Sequence, residues 1–111
     1  MSTRRDTDLE RSTFQNRPAY RYIRATDNMP AIGTEDPTAR VKLFNPQGRG
    51  SWYLSEYDPT KRLAFGLCDL GEPELGYVSM EELTSFRGRF GLPIERDLHW
   101  TPRPLSECAG T

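Results

Sequence analysis

Ser51-Trp-Tyr-Leu-Ser-Glu-Tyr57, Asp58-Pro-Thr-Lys61 and Arg62-Leu-Ala-Phe-Gly-Leu-Cys-Asp-Leu70 are consecutive, and the fold turns on how they are read. The first run is dense in aromatic residues, which suit a pleated, half-buried surface. The second is a turn, because Asp58 and Pro59 favour a change of chain direction. In the third, period two puts Leu63, Phe65 and Leu67 on one face and Ala64, Gly66 and Cys68 on the other. Small residues on that second face invite close packing by another element. Two strands joined by so short a turn are antiparallel neighbours.

The same signals recur on both sides. Thr38 to Phe44 alternates and closes at Asn45-Pro-Gln-Gly48, and Glu74-Leu-Gly-Tyr-Val78 reads as a further strand. Near-regular spacing makes an antiparallel meander the simplest topology. Ser79-Met-Glu-Glu82 is a capping box, predicting a helix from Met80 to about Arg87. That helix buries Met80, Leu83 and Phe86 and stops at Gly88 and Gly91. Ile94 to Trp100 reads as a last strand, whereas Thr101-Pro-Arg-Pro-Leu105 leaves the sheet, since proline cannot serve a central ladder. Met29 to Pro37 is a loop. The predicted fold class is α+β: a small antiparallel β-sheet of about four to five strands, one short capped helix and a flexible N-terminal arm.

At 111 residues the chain is a single domain by size. Its expected divisions are an arm over 1–28, a domain over 29–107 and a tail over 108–111. The composition is polar, with 28% charged residues and 35% hydrophobic, so the core is thin. No apolar run is long enough to span a bilayer, and Met1 to Asp8 lacks a secretory apolar segment; a cytoplasmic location is expected. In the arm, Arg4, Arg5, Arg11, Arg17, Arg21 and Arg24 outnumber Asp6, Asp8, Glu10 and Asp27. Tyr20, Tyr22 and Ile23 break its polarity and fit a short strand or docked segment. Cys68 and Cys108 are expected as reduced thiols, the first in a strand and the second on a mobile tail. They lack the Cys-x-x-Cys spacing of a thiolate zinc site.

Five blocks resemble a known family. They are Val41-Lys-Leu-Phe44, Ser51-Trp-Tyr-Leu-Ser-Glu-Tyr-Asp58, Leu63-Ala-Phe-Gly-Leu-Cys-Asp69, Glu72-Pro-Glu-Leu-Gly-Tyr77 and Gly91-Leu-Pro-Ile-Glu-Arg-Asp-Leu-His-Trp100. Together they resemble the uncharacterised bacterial domain-of-unknown-function family 2958, from Met29 to Glu107. The resemblance implies a small protein typical of plasmids and integrative mobile elements. It supplies no catalytic residue.

Three constellations carry the functional expectations. Trp52, Tyr53, Glu56, Tyr57 and Asp58 form an aromatic-acidic surface for a protein partner, with Arg21 and Arg24 adding a contact from the arm. Glu56, Asp58, Asp69, Glu72 and Glu74 gather at strand ends as an acidic rim, either for edge protection or for docking a basic partner. On an extended strand Glu95, Asp97 and His99 share a face and are the candidate metal ligands. Their spacing of roughly 6.5–7 Å per alternate residue means that one straight strand cannot close around an ion. The bland alternatives are a polar strand face and a buried histidine beside Trp100. Ser79, His99 and Asp97 make a triad on paper, without a nucleophile elbow. No phosphate-binding loop is present.

The preferred expectation is a non-enzymatic accessory protein of a mobile element, without a cofactor. It binds another protein, such as a host defence or nucleic-acid-binding complex, in the manner of an anti-CRISPR or anti-restriction protein. One alternative is a metal-dependent or nucleic-acid-processing protein using Glu95, Asp97 and His99. Another is a nucleic-acid-binding module using the N-terminal arginines.

Overall fold

The structure, a computed structural model, describes residues 8–13 and 20–110. In chain order it contains β1 (Asp8–Arg11), β2 (Arg21–Arg24), β3 (Thr38–Ala39), β4 (Val41–Phe44), β5 (Ser51–Asp58), β6 (Leu63–Asp69), β7 (Pro73–Ser79), helix α1 (Met80–Ser85), β8 (Glu95–Arg96) and β9 (Arg103–Pro104). A five-stranded antiparallel sheet runs in the order β7-β6-β5-β4-β8. Strands β4 to β7 are therefore the expected meander. Thr38 to Phe44 is interrupted at Arg40, so β3 leaves the main sheet and pairs with β9. The proline-bearing segment thus ends in a ladder of its own, as proline at a sheet margin allows.

Strand β5 carries a bulge. Its register passes from Leu54 opposite Gly66 to Glu56 opposite Phe65, leaving Ser55 as the extra residue. The Ser55 hydroxyl donates to the Phe65 carbonyl at 3.2 Å. Gly66 is dictated by this approach: a Cβ there would lie 2.8 Å from the Tyr53 carbonyl carbon and 2.9 Å from the Leu54 Cα. The extra residue also reverses which side chains face which way. Trp52 and Leu54 share one face with Tyr57, while Tyr53 and Glu56 lie on the other.

Each face is covered. On the first, Val41, Leu43, Leu54, Tyr57, Ala64 and Val78 pack against Tyr22 and Ile23 of β2, Met80 and Leu83 of α1, and Ile94. On the second, Ala39, Tyr53 and Leu67 pack against Cys108, with Trp100 and Leu105 alongside. The cover on the first face comes in part from Tyr22 and Ile23, at the short strand or docked segment read there from sequence. Where described, the N-terminal segment is docked: β1 and β2 pair antiparallel, and Tyr22 and Ile23 are fully buried. The remainder of the expected arm, residues 1–7 and 14–19, lies outside the described residues. Cys108 likewise sits in the core rather than on a mobile tail, its thiol donating to the Pro104 carbonyl at 3.4 Å, and the two cysteines are not joined in a disulfide.

The helix starts as predicted, with the Ser79 hydroxyl accepting the Glu82 amide at 3.2 Å. It ends two residues early, at Ser85. The Thr84 and Ser85 hydroxyls donate back to the Glu81 carbonyl at 3.2 and 2.9 Å, a side-chain competition that weakens further winding. The strand expected over Ile94 to Trp100 shrinks to Glu95–Arg96. Asp97 is the reason. Its side chain accepts the His99 amide at 2.9 Å, turning the chain and leaving Leu98 75% exposed at the tip.

Candidate functional site

The aromatic-acidic surface expected on β5 is internal. Tyr53, Glu56 and Tyr57 are at most 5% exposed. Tyr53 meets the Trp100 ring at a centroid distance of 5.5 Å, and the Trp100 indole donates to the Ala39 carbonyl. The Glu56 carboxylate is a loop latch: its two oxygens accept the amides of Gly33 at 3.0 Å and Asp36 at 2.8 Å. Those bonds pin the Met29–Pro37 loop, whose Pro30 carbonyl accepts the Tyr57 amide. Asp58 caps the following turn by accepting the Thr60 and Lys61 amides. Trp52 is half-buried and leans on the core. The physical cause is the bulge, together with cover arriving from both ends of the chain.

Tyr57 belongs to a buried polar cluster instead. Its hydroxyl donates to the Glu10 carboxylate at 2.5 Å, and Arg62 reaches the same carboxylate at 2.8 Å. Arg62 also donates to the Thr84 hydroxyl at 3.0 Å, so β1, β5, the β5–β6 turn and α1 meet on one carboxylate. Burial, and then the bond to Glu10, push the Tyr57 phenol well above its usual value. The bond to Glu10 likewise raises Arg62. This set ties the N-terminal hairpin to the sheet.

The remaining candidates disperse. Arg21 is exposed beside Asp8 at 3.4 Å, and Arg24 is half-buried, its amide donating to Asp27. Arg96 clamps that Asp27 carboxylate with two bonds of 2.7 Å. Glu95 is on the ladder, Asp97 faces Lys42 at 3.9 Å, and His99 is exposed in the turn, so the three share no face and the histidine is not a buried one. Among the described residues no three His, Cys, Asp or Glu side chains are grouped closely enough to hold a metal ion. Ser79 caps α1, as its sequence position implies. No helix among the described residues is long and apolar enough to cross a membrane.

What the structure brings together, and the sequence reading missed, is the open margin of the sheet at β7. Leu70, Leu75 and Tyr77 are 62%, 61% and 64% exposed around this terminal strand. Tyr77 is held edge-on by Phe65 at 5.3 Å, so its ring is positioned rather than loose. On the other side of the strand lies a groove of about 390 Å³ between sheet and helix, walled by Trp52, Val78 and Leu83 and rimmed by Glu74 and Glu82. Cys68 is at its floor, its thiol pushed up by burial and by Glu74. Of the expected acidic rim, Asp69, Glu72 and Glu74 stay together at this end, whereas Glu56 and Asp58 are occupied elsewhere. The alternation of Leu75 and Tyr77 was the available signal; that they face solvent depends on β7 having no outer neighbour among the described residues.

A family described as "protein of unknown function", DUF2958, matches residues 15–111. That span takes in β2, which the resemblance had left outside. No curated protein and no solved structure matches the chain.

Proposed function

We propose that this chain, which belongs to the DUF2958 family, acts by binding another protein across the open β7 margin of its sheet. One observation carries the reading: three large apolar side chains, Leu70, Leu75 and Tyr77, each more than 60% exposed on and beside a terminal strand. An uncovered edge strand with apolar side chains invites pairing with another chain, and proteins usually blunt such an edge with charge, proline or cover. Here Pro73 and Glu74 guard its first residues, while Leu75 to Tyr77 is left open among the described residues. A partner that covers Tyr77 gains an aromatic anchor already fixed by Phe65, the type of residue that dominates binding energy.

The binding surface is therefore β7 with the β6–β7 turn, replacing the β5 residues expected from sequence. The finer reading, an inhibitory accessory protein of a mobile element directed at a host defence complex, draws its support from the setting that the family resemblance implies. Affinity capture with the tagged full chain, set against a Leu75→Lys/Tyr77→Lys double variant, tests the surface. A stoichiometric partner should be retained by the parent, lost by the variant, and rebind from purified components, while both proteins melt alike. Retention of the partner by the variant would refute the β7 reading.

A further inference from the structure

Gly76, at the middle of β7, is not required to be glycine by any described neighbour. Its backbone does not adopt a positive φ, and a Cβ built on it would meet nothing within 4 Å. Its cross-strand neighbour Gly66 is the opposite case, forced by contact with β5. A glycine in a strand interior costs stability and often marks a close approach by something else. The space it leaves lies between Glu74 and Val78 on the groove side of the strand.

Resting on the β7 reading above, the geometry points to a specific occupant: an extended segment of a partner that pairs with β7 and sends an arginine or lysine side chain into the groove over Gly76. The walls fit a long side chain with an apolar stem, which lies along Trp52, Val78 and Leu83. The rim fits a cationic head, which reaches Glu74 and Glu82 and can stack on the Trp52 ring. Arg49, beside Gly71 and Glu72, lines the neighbouring recess and not this one. Period two then sends the flanking side chains of the added strand toward Leu75 and Tyr77, where apolar residues fit. Charge decides against a second copy of this chain, because an edge-to-edge pair would set Glu72, Glu74 and Glu82 of each copy near those of the other.

Fluorescence anisotropy with the full chain tests the assignment, using labelled decapeptides of alternating threonine and valine with a central arginine, alanine or glutamate. The arginine peptide should bind about tenfold more tightly than the alanine peptide, with the glutamate peptide weaker still, and added salt should shrink the difference. Gly76→Val fills the groove with a residue favoured in strands, so it should erase the preference without lowering the melting temperature. Equal affinity for the three peptides, or a preference that survives Gly76→Val, overturns the cationic groove. If that equal binding is lost in Tyr77→Lys, the β7 margin still stands as the binding surface and only its proposed occupant falls. Failure of every peptide to bind at about 1 mM overturns the strand-addition mode, and partner capture by the intact edge remains a separate question. Self-association in sedimentation equilibrium that Gly76→Val abolishes would assign the edge to a second copy and refute the proposal.

Discussion

Replacing Tyr57 with phenylalanine removes one oxygen and leaves the ring in the buried cluster it shares with Leu54 and Ala64. That oxygen donates to Glu10 at 2.5 Å, and the Glu10 side chain is 1% exposed. The carboxylate keeps Arg62 at 2.8 Å but loses the tyrosine hydroxyl as a donor. A hydrogen bond to a charged group contributes about 1.5–3 kcal/mol, so Tyr57→Phe should cost about 2 kcal/mol. For a domain of this size that corresponds to a fall of roughly 8 °C in melting temperature. Tyr22→Phe, which deletes a neutral bond of 2.7 Å to the Ile94 carbonyl, should cost about 1 kcal/mol and serves as the comparison. Urea unfolding of the parent, Tyr57→Phe, Glu10→Gln and the double variant closes a cycle, in which Tyr57 and Glu10 should couple by about 1 kcal/mol or more. Loss of under about 0.5 kcal/mol in Tyr57→Phe, with additive behaviour in the double variant, would refute the docking of β1 through this carboxylate.

Two further perturbations probe the fold from other directions. Gly66→Ala presses a methyl group into the immovable backbone of β5 and should cost about 3 kcal/mol or prevent folding, read by circular dichroism at the yield obtained; a variant as stable as the parent would place the bulge elsewhere. Burial holds the phenols of Tyr22 and Tyr57 neutral, with folded values raised above the ordinary 10.0, so their contribution is complete below pH 10 and is lost as pH rises beyond it. Urea midpoints should be flat from pH 7 to about 9 and fall above about 10, and Tyr22→Phe should flatten part of that fall.

The strands β4 to β7 and the start of α1 were legible because their signals are local. Alternation over Leu63 to Asp69, the turns at Asn45–Gly48 and Asp58–Lys61, and the Ser79–Glu82 cap each operate within a few residues. The end of β8 was misread for a local reason too: the Asp97 side chain offered the backbone a turn that competes with the ladder, and periodicity does not register it.

The site was less legible, since exposure is a property of the whole assembly. Tyr53, Glu56 and Tyr57 carry the residue types of an interface, yet they are interior because of one local event and two distant ones. A bulge rotates Glu56 and Tyr57 relative to Tyr53, the β1–β2 hairpin covers one face, and the segment from Trp100 to Cys108 covers the other. The covering contacts join residues far apart in the chain, as Glu10 to Tyr57 shows with a separation of 47. Sequence by itself determined the antiparallel meander, the capped helix and the turn positions, because backbone propensity and hydrogen-bond competition act between near neighbours. Tertiary structure alone decided that, among the described residues, β7 ends the sheet, its apolar side chains face solvent and the space over Gly76 is open, because those depend on which surfaces the rest of the chain returns to cover.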